Sequence, residues 1–308
     1  MSKTVLLLTS VLCLLGTQMA GGASPVRRFA LAVGANFGGV ERAALRYTVS
    51  DAENFARVLE EMGGLDAADS IVLQDPDLET FRQALEDLRR KVETARGEEG
   101  RTEVLVYYSG HADEQGLLLG AQRLSYQSLR QALKGIRADV HITVLDACAS
   151  GTITRLKGGR RYQPFLVDAS SEMRGYAFLT SGSADEAAQE SDRIGASFFT
   201  HYLISGLRGA ADVSGDGRVT LNEAYQFAFN ETLMGTAETR AGAQHPSYDI
   251  NMSGTGDVVM TDLSQIGAGL VLGEELGGRF FIRNADQQLV VELYKPAGRS
   301  VELGLEGG

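Results

Sequence analysis

Asp146-Ala147-Cys148-Ala149-Ser150-Gly151 follows directly on an apolar run, His141-Ile142-Thr143-Val144-Leu145. Upstream, a second run, Val104-Leu105-Val106-Tyr107-Tyr108, leads straight into Ser109-Gly110-His111. Both runs are short, continuous and rich in β-branched and aromatic residues, the signature of strands buried on both faces. Each therefore delivers one reactive side chain at its C-terminal end, where open α/β sheets place their chemistry. A thiol and an imidazole meeting there form a nucleophile–base pair, with Cys148 as nucleophile and His111 as base. Thirty-seven residues separate them, enough for a hairpin and a crossover helix that would set the two strands side by side. Backbone N–H groups of Ala112 and Cys148 then lie near a developing oxyanion.

Working outward, strands and helices alternate. Phe29 to Val33 reads as a first strand, followed by a Gly-rich turn at Gly34 to Gly39. Ser50-Asp51-Ala52-Glu53 has the capping-box pattern and predicts a helix start, with Ala52, Phe55, Ala56, Leu59 and Met62 as its apolar stripe. Ile71 to Leu73 is a short strand, and Leu78, Phe81, Leu85, Leu88 and Val92 mark the next helix. A hairpin is expected around Gly116, a helix over Leu124 to Leu133, a strand over Tyr176 to Thr180, and helices over Phe198 to Leu207 and Leu221 to Leu233. This alternation predicts an α/β fold with a mostly parallel, six-stranded sheet covered by helices on both faces. Composition shifts near Ser253, after which only short strand-like runs remain, Leu270 to Leu272, Phe280 to Ile282, Leu289 to Tyr294 and Val301 to Leu305, so residues 254–308 read as a small β-rich appendage to a domain spanning 24–253.

Bulk properties narrow the function. A chain of 308 residues with 44% hydrophobic and 22% charged residues can bury a full core. Its net charge of −11 and the lack of a basic stripe exclude nucleic acid as a partner and argue against docking on an anionic membrane. Lys3, the apolar stretch from Val5 to Leu15 and the small residues Ala20 to Ala23 read as a cleavable export signal over residues 1–23, its apolar run too short to span a bilayer, with an uncleaved anchor as the alternative. The expectation is a periplasmic or secreted protein, monomeric, with no stable membrane insertion once the signal is removed. Of the two cysteines, Cys13 lies in that signal, leaving Cys148 unable to form an internal disulfide and flagged as reactive.

At these residues the sequence resembles the caspase-like cysteine peptidases of the C14 type, nearest to the bacterial metacaspase relatives called orthocaspases. Tyr107-Tyr108-Ser109-Gly110-His111 and Asp146-Ala147-Cys148-x-Ser150-Gly151 carry the resemblance, which covers roughly Arg28 to Leu233. It implies a caspase-like fold and peptide-bond hydrolysis by His111 and Cys148. Two departures stand out. The family usually has Gly where this chain has Ala112, and often His where it has Ala149. The animal-caspase signature Gln-Ala-Cys-x-Gly is absent, so cleavage after Asp is not implied.

Specificity follows from charge. Asp146 precedes Cys148 by two residues on the same strand face, and Asp51 is expected at a helix start by the same end of the sheet. Two carboxylates in one pocket favour an Arg or Lys side chain at P1. The resemblance agrees, implying an acidic S1 pocket lined by Asp51, Ser109 and Asp146. The basic loop after the nucleophile, with Arg155, Lys157, Arg160 and Arg161, is then a candidate for self-cleavage, although exposed polar loops are nicked readily in any protein.

Asp212-Val213-Ser214-Gly215-Asp216-Gly217-Arg218-Val219-Thr220-Leu221-Asn222-Glu223 matches the twelve-residue EF-hand loop. Asp212, Ser214, Asp216, the Arg218 carbonyl, Thr220 and Glu223 fill the ligand positions and Gly217 the sharp sixth one, so Ca2+ is expected there in a structural role. A protein or peptide substrate is the expected partner. Two other readings follow from the departures and from this loop: a catalytically silent caspase-like binding module, and a calcium-dependent scaffold of the cell envelope.

Overall fold

The structure, a computed structural model, describes residues 26–95, 100–149, 175–182, 188–252 and 257–305, with Cys148 and Ala149 described as backbone only. Residues 1–23, where the sequence leads one to expect an export signal, and the basic loop from Arg155 to Arg161 lie outside the described residues. In chain order the elements are β1 (Val26–Ala35), α1 (Thr48–Met62), β2 (Leu65–Gln74), α2 (Leu78–Ala95), β3 (Arg101–Asp113), β4 (Gly116–Leu119), β5 (Gln122–Ser125), α3 (Tyr126–Gly135) and β6 (Val140–Ala149). Then come β7 (Tyr176–Thr180), β8 (Glu190–Ser191), β9 (Ala196–Ser197), α4 (Phe198–Ser205), β10 (Arg218–Thr220), α5 (Leu221–Thr236), β11 (Ser247–Asn251) and β12 (Val259–Asp262). The last four strands are β13 (Ala268–Leu272), β14 (Gly278–Arg283), β15 (Leu289–Lys295) and β16 (Val301–Leu305).

Six strands cross the molecule in the order β11-β7-β6-β3-β1-β2, all parallel except the edge strand β11, and the β4–β5 hairpin continues from the end of β3. Alternation along the strands divides the core cleanly. Ala30, Ala32, Leu105, Tyr107, Ile142 and Val144 pack beneath α1, α4 and α5. Phe29, Leu31, Val33, Val106 and Tyr108 pack on the opposite face against α2 and α3. Burial on both faces is why these strands read as unbroken apolar runs rather than alternating ones.

The expected capping box does not form. α1 starts at Thr48, two residues before Ser50, and Ser50 Oγ donates to the Tyr47 carbonyl at 2.9 Å instead of capping an N–H. A carboxylate distant in sequence takes the cap's place: Glu190 accepts the N–H groups of Arg46 and Tyr47 at 3.1 Å each. The first turn also sits tight on the end of β1, where a Cβ on Gly34 would come within 2.3 Å of the Thr48 carbonyl oxygen. The extra turn brings Asp51 inside the helix and turns it to the sheet, where it is 1% exposed.

After the main sheet, β10 pairs antiparallel with β12, and β13–β16 and β14–β15 form two small antiparallel ladders. The periodicity of the sequence anticipates the last four strands but neither β11 nor β12. The ladders are built onto the body: Val291, Leu293, Val301 and Leu303 bury against Ala210 in the turn after α4. β16 pairs within this unit. Among the described residues no helix is long and apolar enough to cross a membrane.

Candidate active site

Pairing between β3 and β6 sets the two motifs in register. Ser109 lies opposite Asp146 and His111 opposite Cys148 along the parallel ladder. Tyr108 fixes the local chain by donating its hydroxyl to the carbonyls of His111 and Leu118, at 2.8 Å each. The Gly-rich turn after β1 forms one wall of the imidazole's seat. A Cβ on Gly38 would lie 2.5 Å from His111 Cβ and Cγ, so only glycine lets the backbone pass there. His111 Nε2 lies 2.9 Å from the Ala43 carbonyl oxygen. A carbonyl only accepts, so Nε2 carries the proton and Nδ1 is left as the basic nitrogen. Burial lowers the pKa of His111 below its ordinary value, opposed by that hydrogen bond, which keeps the ring neutral and ready to accept a proton at neutral pH. Ala112 follows, buried, where β3 turns from its pairing with β6 into the β4 hairpin.

Asp51 and Asp146 converge through one residue. Ser197, the N-cap of α4, donates its backbone N–H to Asp51 Oδ2 at 3.1 Å and its hydroxyl to Asp146 Oδ2. Thr200 Oγ1 adds a second hydrogen bond to Asp146 at 2.5 Å and contacts the Tyr107 hydroxyl at 2.6 Å. The other oxygen of each carboxyl, Oδ1, is buried with no hydrogen-bond partner among the described residues. Asp146 is 2% exposed, and Ser109 beside it is equally enclosed. Burial first, and then the negative charge of Asp146, hold the Asp51 carboxyl well above the usual carboxylate range. Burial also raises Asp146, against the pull of the Ser197, Thr200 and Ser181 hydroxyls. Glu190, the surrogate cap of α1, stands at the same end of the sheet and is likewise raised by burial. Neither aspartate forms an ion pair with a described residue.

Sequence reading named Asp51, Ser109 and Asp146 but missed the residues that organise them. Ser197 and Thr200 carried a detectable signal, because a Ser three residues before a Thr at the head of an apolar run is a cap pattern. Ser181 to Ser183 with Asp185 and Glu190 reads from sequence as a possible binding edge. Ser183 and Asp185 lie outside the described residues, and Glu190 caps α1 as described above.

The Asp212–Glu223 loop is closed by its own donors. Asp212 accepts from Ser214 Oγ at 3.1 Å, Gly215 N at 2.7 Å and Gly217 N at 3.0 Å, and Asp216 accepts from Arg218 N at 2.9 Å. Glu223 accepts the N–H groups of Val213 and Ser214 with one oxygen, and the N–H and hydroxyl of Thr220 with the other. Gly215 and Gly217 have φ of 72° and 78°, the left-handed turns such a loop needs. Among the described residues no three His, Cys, Asp or Glu side chains are gathered into a metal cage.

Comparison with known families matches residues 27–254 to the caspase domain of the C14 peptidases. The curated proteins contain no match. Among solved structures, caspase-1 from Spodoptera frugiperda superposes with a TM-score of 0.54 at 12% identity, covering 78% of this chain and 93% of that one. At that identity the likeness concerns the fold, and it coincides with the strand order and flanking helices described above. The match over most of the chain, on a sheet that sets a histidine motif and a cysteine motif in register, shows that this chain belongs to the caspase-domain family of cysteine peptidases.

Proposed function

We propose that the chain is an exported, monomeric cysteine endopeptidase that hydrolyses peptide bonds after Arg or Lys. The observation that carries the P1 assignment is the buried pair Asp51 and Asp146, bridged by Ser197, each with an oxygen unpartnered and neither paired with a cation among the described residues. A buried carboxyl oxygen without a partner costs about 1–3 kcal/mol, a penalty that a guanidinium or ammonium donor entering the pocket removes. In the proposed reaction His111 Nδ1 takes the proton of the Cys148 thiol, and the sulfur attacks the scissile carbonyl carbon. The N–H groups of Cys148 and Ala112 receive the oxyanion. As the C–N bond breaks, His111 returns the proton to the leaving amine; water then adds to the thioester, which splits to release the acid and the thiol. Asp51, Asp146 and Ser109 hold P1. The same preference makes Arg155, Lys157, Arg160 and Arg161 candidates for self-cleavage.

A bound calcium ion is a second part of the proposal, favoured by the oxygen-bearing side chains of Asp212, Ser214, Asp216, Thr220 and Glu223 with the carbonyl of Arg218, on a loop bent by Gly215 and Gly217. To ligate the ion, Glu223 would have to release the N–H groups of Val213 and Ser214. The role is structural, since no step above uses the ion.

Fluorogenic peptides ending in Arg and in Asp, assayed with and without a calcium chelator, test both parts. The Arg peptide alone is expected to be cut, Cys148→Ala is expected to abolish cleavage, and chelator is expected to lower the melting temperature. No cleavage of either peptide favours a silent binding module. Cleavage of the Asp peptide alone rejects the S1 assignment, and an unchanged melting temperature rejects the ion.

A further inference from the structure

The short hairpin made by β8 and β9 is attached at two ends to different parts of the molecule. At one end, its base, it meets the carboxylate pocket, where Ser197 bridges Asp51 and Asp146 and Glu190 accepts the Tyr47 N–H; in the turn between the strands Asp192 also receives Arg46 at 3.0 Å and the Tyr47 hydroxyl at 2.7 Å. At the other, Arg193 reaches the C-terminal β unit, with its guanidinium 3.6 Å from Glu292 on β15 and 5.9 Å from the ring centre of Phe281 on β14. Glu292 is only 1% exposed. One of its oxygens is taken by Arg279, at 2.8 Å from Nε and 2.7 Å from Nη2. Among the described residues the second has no hydrogen bond and faces the cation Arg193 and, at 3.8 Å, His201 Nε2. Burial and the nearby charges of Arg193 and Arg279 push the pKa of His201 down to about 3, so its ring is neutral and offers no countercharge. Arg193 is therefore the cation that completes the compensation of that buried oxygen. A cleft of about 700 Å³ spans the same ground, lined by Asp51 and Ala196 on one side and Arg283, Gln287 and Leu289 on the other.

We propose that the C-terminal β unit is a brace for the substrate pocket, and that Arg193 is a positioning residue that transmits it through the β8–β9 hairpin to Ser197 and the two aspartates. This deepens the P1 reading and rests on it for its kinetic consequence, while the mechanical link stands on the contacts alone. Glu292 and Phe281 hold the hairpin tip from the C-terminal unit, beside the contacts of Asp192 with Arg46 and Tyr47, the tip holds the Ser197 backbone, and Ser197 holds the relative placement of Asp51 and Asp146.

The test uses the full chain with Arg193→Ala, Arg193→Lys and Glu292→Gln, followed by hydrogen–deuterium exchange and steady-state kinetics. Arg193 is half-exposed, so its variants keep the fold even where Glu292→Gln does not. In Arg193→Ala, peptides spanning residues 188–200 are expected to lose protection while those from β2 and α2 stay unchanged. KM for a P1-Arg substrate is expected to rise about fivefold at nearly constant kcat, the size of coupling seen between residues in one network. Arg193→Lys is expected to recover most of both. Wild-type protection at 188–200, or a KM that does not move, overturns the brace. If the wild-type enzyme cleaves no P1-Arg substrate, the P1 reading fails, and the exchange result alone decides the brace: lost protection upholds it and unchanged protection rejects it.

Discussion

On the proposed P1 reading, specificity turns on Asp51 and Asp146, and their buried, raised carboxyls set a pH dependence. A carboxyl whose folded pKa lies above its unfolded value contributes stability that is full below the unfolded pKa and is lost as pH rises through the folded one. The free protein is thus expected to lose stability on the alkaline side of the ordinary carboxylate range. Binding of a P1-Arg product should offset this loss, because the cation favours the ionised pair. For the same reason kcat/KM for P1-Arg peptides should climb as pH rises through the raised pKa of the pair; a flat profile there would contradict the assignment. Gly38 offers a second test at this scale. Gly38→Ala places a Cβ against the His111 ring and should lower kcat/KM about 100-fold, as expected when a catalytic group shifts by about 1 Å, with a far smaller effect on melting temperature. His111, Cys148, Asp51 and Asp146 were legible because each sits at the end of an apolar run or at a helix start. Gly38, Ala43 and Glu190 were not, because their roles arise from contacts with residues distant in the chain; the cap pattern at Ser197 was visible, but not its bridge to Asp51, 146 positions away.

Among the elements, those with strong periodicity were read correctly: the buried strands of the sheet, α2, and the four strands of the C-terminal unit. The start of α1 was misread because local capping chemistry at Ser50 is overridden by Glu190, a tertiary effect that no short window contains. β11 and β12 escaped because edge and two-stranded pairings need little apolar patterning. β12 is nonetheless anchored through a buried cation. Arg28 on β1 pairs with Glu103 at 2.8 Å and donates to the carbonyls of Gly63, Met260 and Val259, joining the central sheet to the chain beyond residue 257. Arg28→Met leaves Glu103 buried beside only the half-exposed Arg101 and removes those donors. Urea unfolding should show a loss of about 3–5 kcal/mol, the cost typical of removing one partner from a buried pair. A loss below about 1 kcal/mol, typical of surface pairs, would mean that this junction is not part of the cooperative fold.

For the molecule as a whole, the sheet sets the histidine and cysteine motifs in register, α1 brings Asp51 to the end of β6 where Asp146 lies, the N-cap of α4 bridges the two, and the C-terminal β unit contacts the adjoining hairpin through Glu292 and Phe281. The family is shown by the match over most of the chain, and the buried carboxyls of Asp51 and Asp146 carry the specificity proposed for this member. The most direct test compares kcat/KM for a peptide with Arg at P1 against the same peptide with citrulline, which keeps the shape and removes the charge, in wild type and in Asp51→Asn. The wild-type enzyme is expected to prefer Arg by about 100-fold, within the 2–5 kcal/mol lost when a buried, hydrogen-bonded charge pair loses one partner, and Asp51→Asn to erase most of that preference. Equal use of the two peptides by the wild type, or an Arg preference untouched by Asp51→Asn, would contradict the assignment of Asp51 and Asp146 as the specificity-determining pair.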